Sequence, residues 1–205
     1  MSVTSSTSQR EKTRKLTVIS ALAAVTAIIS FLPLKTLGLE ITFSMVPVAV
    51  GAIIYGPFAG AILGFVFGAV SFIQCFGYSP FGATLFGISP LYTFVMCVPT
   101  RILAGWIAGL IYKSLNKISK EEVVNIATAS VCAPFLNTVF FMSALVLLFY
   151  NTDFIKSIAQ SLKAENALVF VLLFVGINGL VEIIAGSVIA FPTAAAIKKF
   201  EKTRH

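Results

Sequence analysis

Two ionisable side chains within apolar segments are the residues of this sequence best suited to bind a solute. Arg101 lies in the stretch "PTRILAGWIAGL", and Glu182 lies in the stretch "VEIIAG". Each charged side chain in a helix that crosses a bilayer costs roughly 2.5–3.5 kcal/mol on insertion, so such residues usually mark a binding site or an ion path. Arginine presents a planar fork of hydrogen-bond donors, and the natural partner of that fork is an anionic group.

Neutral polar residues accompany these two charges. Asn178 precedes Glu182 by one helical turn, so both lie on one helix face. Asn137 and Thr138, in "APFLNTVFF", interrupt another apolar segment near its middle. Because amides both donate and accept hydrogen bonds, we expect these four residues and Arg101 to line a water-filled pocket for a small polar solute. In the structural alternative, Arg101 pairs with Glu182 and the two asparagines join neighbouring helices.

The connection "QCFGYSPFGATLFGISP" holds aromatic residues that are candidates to cover this pocket. Its composition, rich in Gly, Pro and aromatic residues, is typical of a functional loop rather than of a plain linker. The candidates in and just after it are Phe76, Tyr78, Phe81, Phe86 and Tyr92, and we assign Tyr78 to the substrate site. An aromatic belt at the membrane interface explains some of these residues equally well.

The sequence lacks the residue sets that common enzyme chemistry requires. The single histidine is the last residue, His205, and Glu182 is the only acid in the apolar segments, so neither a metal-ligand set nor a pair of carboxylates is present. No glycine-rich phosphate loop is present, so any ATP is hydrolysed by a partner. Cys75, Cys97 and Cys132 show no CxxC spacing and are interpreted as small apolar side chains. We expect no enzyme, no bound cofactor and no metal.

Composition places these residues in a lipid bilayer. Of the 205 residues, 58% are hydrophobic and 11% are charged, and the mean hydropathy is +0.96. Soluble domains carry roughly 25% charged residues. Apolar segments predict six helices, at 16–33, 42–56, 58–74, 92–114, 123–150 and 168–197. The expected fold is an all-α membrane protein, a six-transmembrane-helix bundle over residues 16–197 with basic tails at 1–15 and 198–205.

The distribution of positive charge predicts the orientation of the bundle. Eleven of the fifteen Lys and Arg residues lie in the N-terminal tail, the loop after the fourth helix and the C-terminal tail. These three segments share one side of a six-span chain, and positively charged loops face the cytoplasm. Both termini are therefore predicted to be cytoplasmic, in a bacterial plasma membrane. Contact with anionic lipid explains the net charge of +7, so the charge does not indicate a nucleic-acid partner.

Small residues recur at every fourth position in two of the predicted helices. The row in the third helix is Gly56, Gly60, Gly64 and Gly68, and Gly105 and Gly109 repeat the spacing in the fourth. Helices associate in membranes through close packing, which small residues permit. We expect both series to pack inside the bundle; docking against another protein is the alternative for the first row.

The first helix carries a second type of small-residue surface. In "SALAAVTA", Ser20 pairs with Ala24 and Ala23 pairs with Ala27 at helical spacing. Such a surface serves equally well to pack against the bundle or to dock on a partner protein.

The stretch "MVPVAVGAIIYGPFAGAILGFVFGAVSF", with six spans and the Ala-xxx-Ala face of the first helix, resembles the S component of an energy-coupling factor (ECF) vitamin transporter. The resemblance covers nearly the whole chain and is strongest over residues 45–110. It implies a membrane-embedded vitamin-binding subunit that docks on a transmembrane coupling protein with two ATPases. It also implies that Ala23 and Ala27 carry the docking surface.

Within that family, "PTRILAGWIAGL" and "FLNTV" resemble the pantothenate-type members. This resemblance implies that Arg101 binds the carboxylate of pantothenate and that Asn137 binds its amide or a hydroxyl. Glu182 departs from the pattern, because an unpaired carboxylate would repel an anionic ligand. If Glu182 instead pairs with Arg101, the arginine is partly neutralised, which favours a neutral or cationic vitamin of the pyridoxine or thiamine type. An S component for riboflavin is a further alternative. A standalone secondary carrier and a purely structural membrane subunit are alternatives from other classes.

Overall fold

The structure is a computed structural model that describes residues 3–31, 34–36, 39–41 and 43–203, with side chains described for 9–31, 43–176, 179–200 and 203. Helices make up nearly all of it. The elements in chain order are α1 (Val3–Ser30), β1 (Leu34–Thr36), β2 (Leu39–Ile41), α2 (Met45–Tyr55), α3 (Pro57–Gln74), α4 (Pro80–Ile88), α5 (Pro90–Ile118), α6 (Glu122–Phe149), α7 (Asp153–Ser161) and α8 (Ala167–Thr203). The two strands pair as a short antiparallel hairpin.

Each of the six predicted apolar segments coincides with a helix, namely α1, α2, α3, α5, α6 or α8. Among the described residues, five helices are long and apolar enough to cross a membrane: Gln9–Ser30, Pro57–Gln74, Pro90–Ile118, Glu122–Phe149 and Gly179–Phe200. Helix α2 has 11 residues and is about 16 Å long, roughly half of a ~30 Å hydrocarbon core. The chain is therefore a multi-pass membrane protein, whereas six spans and cytoplasmic termini stay predictions.

The ends of the first and last helices differ from the predicted bounds. Helix α1 begins at Val3 rather than at residue 16, so most of the predicted basic tail is helical. Helix α8 likewise continues to Thr203 rather than ending at residue 197. Hydropathy marks where the chain enters lipid, but a helix with satisfied backbone hydrogen bonds extends past that point.

The connection predicted as a loop after α3 contains a helix, α4, and this prediction was wrong. The Ser79 side chain accepts a hydrogen bond from the Gly82 backbone N–H at 3.3 Å, and Pro80 occupies the first turn. Serine before a helix and proline at its first position together start a helix. Ser89 caps α5 in the same way, with a hydrogen bond from the Tyr92 N–H at 3.4 Å.

Glycines determine two changes of chain direction. Gly56, with φ of 87°, ends α2, and the proline after it begins α3. Gly176, with φ of 43° and ψ of −138°, breaks α8 into two helical parts. Side chains disfavour both backbone conformations, and glycine accommodates them.

Helices α3 and α5 pack with their backbones in contact along the glycine row. A Cβ added to Gly60 would collide with the Gly105 carbonyl, and a Cβ on Gly105 would collide with the Gly60 carbonyl. The row continues at Gly64, which abuts the Arg101 backbone, and at Gly68, which abuts Cys97 and its neighbour. The glycine row thus packs inside the bundle, as expected. These contacts fix the position of α5, and therefore of the Arg101 backbone, along α3.

A proline in α6 provides a polar link to α8. Pro134 has no N–H, so it leaves the carbonyl of Ser130 without its usual helical donor. The Ser187 hydroxyl of α8 lies 3.3 Å from that carbonyl and shares its one hydrogen between it and the Ile183 carbonyl of its own helix, at 2.5 Å. Backbone groups freed in apolar surroundings need such a partner, so this bond helps to hold α8 against α6.

The apolar interior divides into two clusters of different composition. The small-residue cluster joins α1, α2, α3, α5, α6 and the second part of α8, and alanine is common among its buried members, including Ala49, Ala52, Ala59, Ala104, Ala108, Ala129, Ala133, Ala190 and Ala194. The aromatic cluster joins the end of α3, α4, α5, the end of α6, α7 and the first part of α8, and it includes Phe72, Phe81, Phe86, Phe141, Phe149, Phe154, Phe170 and Phe174.

Candidate ligand-binding site

Arg101 is buried in the interior, with 7% of its surface exposed. Its Nη1 atom donates to the carbonyl oxygens of Cys97 at 3.0 Å and Met96 at 3.4 Å, both in the preceding turn of α5. Pro99 lies in this turn, and a proline inside a helix opens the carbonyls around it to other donors. The guanidinium is thus held by its own helix on one side.

Two aromatic rings hold the guanidinium from other helices. Its central carbon lies 4.6 Å from the Phe67 ring centroid on α3 and 5.0 Å from the Phe141 ring centroid on α6. Both distances are within the range of cation–π attraction, which is strongest where water is excluded. Phe67 belongs to the small-residue cluster and Phe141 packs on the aromatic cluster, so Arg101 lies where the two clusters meet.

Hydrogen-bonding capacity remains at this junction. Among the described residues, Arg101 Nε and Asn137 Oδ1 are buried and have no hydrogen-bond partner. Asn137 precedes Phe141 by one turn of α6, so both residues lie on the helix face turned toward Arg101. Buried polar atoms without a partner cost about 1–3 kcal/mol each, and a donor and an acceptor together match a ligand that carries both kinds of group.

Two further predicted residues, Thr138 on α6 and Glu182 on α8, have described side chains. Thr138 donates to the Pro134 carbonyl within α6 at 3.1 Å, and its methyl group faces Gly179 of α8. Glu182, half-buried on α8, is one of the charges that act electrostatically on Arg101. The structure therefore brings Arg101, Asn137 and Glu182 to one region between α5, α6 and α8. The side chain of Asn178 lies outside the described residues.

Tyr78, the predicted aromatic site residue, contacts the end of α1. Its side chain is exposed, and its ring meets the edge of the Phe31 ring at the end of α1, with centroids 6.1 Å apart. The remaining aromatic candidates lie in the aromatic cluster or beside it: Phe81 contacts Phe154 of α7 at 5.8 Å, and Tyr92 contacts Phe149 of α6 at 6.0 Å. These contacts support a role at the periphery for Tyr78.

The small residues of α1 fall on two faces. Ser20 and Ala24 are exposed, whereas Ala23 and Ala27 are half-buried and Ala23 packs against the small-residue cluster. The exposed row of small residues on α1 therefore consists of Ser20 and Ala24. Its use as a docking surface stays a prediction.

Phe67 and Phe141 are site residues that the sequence analysis missed. Phe67 lies three positions after Gly64 on the face of α3 that packs on α5, and Phe141 lies four positions after Asn137. Their helical spacing from Gly64 and Asn137, which the sequence had already singled out, could have indicated that they share a helix face with those residues. In the described part of the chain, no group of three His, Cys, Asp or Glu side chains is placed to hold a metal ion.

Comparison with known proteins identifies the fold of the chain and then its family. The fold is similar to that of ThiT from Listeria monocytogenes, which superposes with a TM-score of 0.65 at 17% identity over 92% of this chain and 97% of that one. The S component for biotin from an ECF-type ABC transporter gives 0.54, also at 17% identity, over 94% and 93%. No curated protein sequence matches the chain.

The family model of the substrate-specific component of ECF transporters matches residues 14–194. The chain belongs to this family. It is therefore a substrate-binding transporter subunit and not an enzyme, as the sequence predicted. The resemblance to the ECF S components is thus confirmed at the level of the family and the fold.

Proposed function

We propose that this protein captures a water-soluble vitamin that carries a carboxylate, with pantothenate as the favoured substrate. The proposal rests on the guanidinium of Arg101, which is buried and whose Nε donor has no hydrogen-bond partner among the described residues. A carboxylate is the group that a guanidinium fork binds most strongly, through two parallel charge-assisted hydrogen bonds. Phe67 and Phe141 hold the fork in place for this bond.

Asn137 supplies the second contact in this proposal. Its buried Oδ1 atom accepts a hydrogen bond from a hydroxyl or an amide N–H, and pantothenate has both groups. A ligand that bridges Arg101 and Asn137 satisfies the donor and the acceptor that the described residues leave without a partner. Thr138, Asn178 and Glu182 complete the proposed lining, with Tyr78 at its periphery.

Glu182 favours a second candidate function. Because its carboxylate attracts Arg101, part of the guanidinium charge is balanced within the protein. A neutral or cationic vitamin of the pyridoxine or thiamine type then fits the site better than an anion does. The two candidates differ in the charge that the ligand must carry.

A binding panel tests the two candidates. Pantothenate, pyridoxine, thiamine, riboflavin and biotin are added to the purified protein, and the melting temperature is recorded. The bound ligand stabilises the fold by about 2.7 kcal/mol at a hundredfold excess over its dissociation constant. We expect stabilisation by pantothenate and none in the Arg101→Ala variant. Stabilisation by pyridoxine or thiamine alone would support the second candidate, and a folded sample that responds to no vitamin would contradict both.

We further propose that the protein delivers its ligand by docking on a transmembrane coupling protein with two ATPase subunits, in the bacterial plasma membrane. ATP is consumed by those partners, and this chain binds no cofactor. The exposed row of Ser20 and Ala24 on α1 is the proposed contact, with Ala23 and Ala27 along its edge. Small residues allow the closest approach between helices, which supports this choice.

Paired tryptophan substitutions test the docking surface. Ala24→Trp adds bulk to the proposed contact, and Leu147→Trp adds bulk to α6 at a side chain that is 82% exposed. We expect both variants to bind the vitamin in detergent. ATP-driven uptake into vesicles that contain the coupling subunits should fall at least tenfold for Ala24→Trp and stay unchanged for Leu147→Trp. Normal uptake by both variants would exclude this surface.

A further inference from the structure

Two buried cysteines face each other in the aromatic cluster. Cys75 follows the last residue of α3 and Cys97 lies in α5, and 22 positions separate them in the sequence. Their Sγ atoms are 4.0 Å apart, and both side chains are at most 5% exposed. The substrate site does not use either thiol.

The surroundings hold the two thiols in place. The Cys75 thiol donates to the Ser71 carbonyl at 3.3 Å, and the Ser71 hydroxyl points at Cys97 Sγ from 4.0 Å. Helix α4 packs directly on Cys75, because a Cβ on Gly82 would lie 2.7 Å from its Sγ atom. The pair is thus positioned by α3, α4 and α5 together.

We propose that Cys75 and Cys97 form a reversible oxidation site, at which a small hydroperoxide converts the two thiols into a disulfide. One thiolate attacks the peroxide and forms a sulfenic acid as the alkoxide or hydroxide leaves. The second thiol displaces the sulfenic oxygen, which departs as water, so two thiols and one hydroperoxide give one disulfide, one alcohol or water, and one water. A disulfide requires an S–S distance of about 2.05 Å, so the two sulfurs approach by roughly 2 Å.

The disulfide closes a loop that contains all of α4. Since Cys97 also supplies the carbonyl that accepts from Arg101 Nη1 at 3.0 Å, the bond ties α4 and the end of α3 to the turn of α5 that carries the buried guanidinium. Oxidation restrains α4, and reduction releases it. This modification site stands whatever the identity of the vitamin.

Peptide mapping of the full-length protein tests this site. The protein in lipid nanodiscs is treated with hydrogen peroxide, its remaining thiols are alkylated, and the digest is analysed by mass spectrometry. We expect a linked peptide containing Cys75 and Cys97, lighter by two hydrogen atoms than the two thiol peptides, which dithiothreitol separates. Slower amide hydrogen exchange in α4 of the oxidised protein is the second expected result.

Cys132 provides the internal control, because it is more exposed than the other two cysteines and is remote from them in sequence. The linked peptide should persist in Cys132→Ser and disappear in Cys75→Ser and Cys97→Ser. Recovery of Cys75 and Cys97 as separately alkylated or separately oxidised residues in the wild-type chain would overturn the proposal. Preferential oxidation of Cys132 would also overturn it, since exposure rather than the paired geometry would then govern the reaction.

Discussion

The two halves of the interior use different side chains for different purposes. In the small-residue cluster, alanine and glycine bring helices together until backbone meets backbone, as at Gly60 and Gly105. In the aromatic cluster, large buried rings such as Phe149 and Phe170 fill the space between helices. Backbone contact leaves no freedom to adjust, whereas ring contacts can rearrange through side-chain rotation.

Arg101 lies at the boundary between these two regions. Its backbone is fixed by Gly64 in the row of close contacts, and its guanidinium reaches Phe141 on the aromatic side. The close backbone contacts of the small-residue cluster therefore fix the position of Arg101 along α3.

The largest expected effect is a break in the small-residue cluster. Gly60→Ala introduces a Cβ that collides with the Gly105 carbonyl, so the backbones must separate. We expect a loss of about 1–3 kcal/mol in the free energy of unfolding. Gly87→Ala in α4 is the matched control, because its added Cβ meets nothing within 4 Å, and the better helix propensity of alanine should stabilise by about 0.5–1 kcal/mol. Equal melting temperatures for the two variants would refute the proposed difference between the regions.

Asn137→Leu separates ligand binding from stability at the boundary. The substitution removes a buried Oδ1 atom that has no hydrogen-bond partner in the described chain. We therefore expect the ligand-free protein to melt at the same or a higher temperature, while the vitamin binds about 2- to 12-fold more weakly because a hydrogen bond of about 0.5–1.5 kcal/mol is lost. Calorimetry and thermal melting together check both effects. A large loss of stability would assign Asn137 a structural role instead.

The smallest expected effect concerns the aromatic side. Phe141→Leu keeps an apolar side chain but removes one ring from the Arg101 guanidinium. A cation–π contact contributes about 0.5–1 kcal/mol, so the dissociation constant should rise about two- to fivefold. Phe81→Leu, whose ring contacts Phe154 and Phe174 instead, serves as the control in the same cluster. Isothermal titration should show the loss only in Phe141→Leu; equal losses would mean that the cluster acts as a whole.

The long elements of the fold were predictable from sequence because hydropathy and helical spacing are local properties. The glycine row of α3 predicted close packing, and α5 is the helix that it meets. Helix α4 was missed, although Ser79 and Pro80 form a start signal, because a short apolar helix between glycines resembles a loop in composition. Helix α7, which Thr152 caps in the same way, was also missed, because its nine residues mix polar and apolar side chains and form no apolar segment.

The candidate site was predictable in its charged and polar residues but not in its surroundings. Arg101 and Asn137 stand out because polar residues are costly within apolar segments. Phe67 and Phe141 do not stand out, since aromatic residues are common throughout this chain. The contact between Cys75 and Cys97 depends on how α3, α4 and α5 pack together. Their separation of 22 residues in the sequence does not predict it.

We propose that Arg101 binds the carboxylate of the ligand. Calorimetry with two ligands and two proteins tests this role. The ligands are pantothenate and its alcohol analogue, which lacks the carboxylate, and the proteins are the wild type and Arg101→Gln. A hydrogen-bonded charge contributes about 1.5–3 kcal/mol, so the wild type should prefer pantothenate by about 10- to 150-fold. Arg101→Gln should bind both ligands with the weaker affinity. An Arg101→Gln variant that keeps the preference for pantothenate would contradict the account.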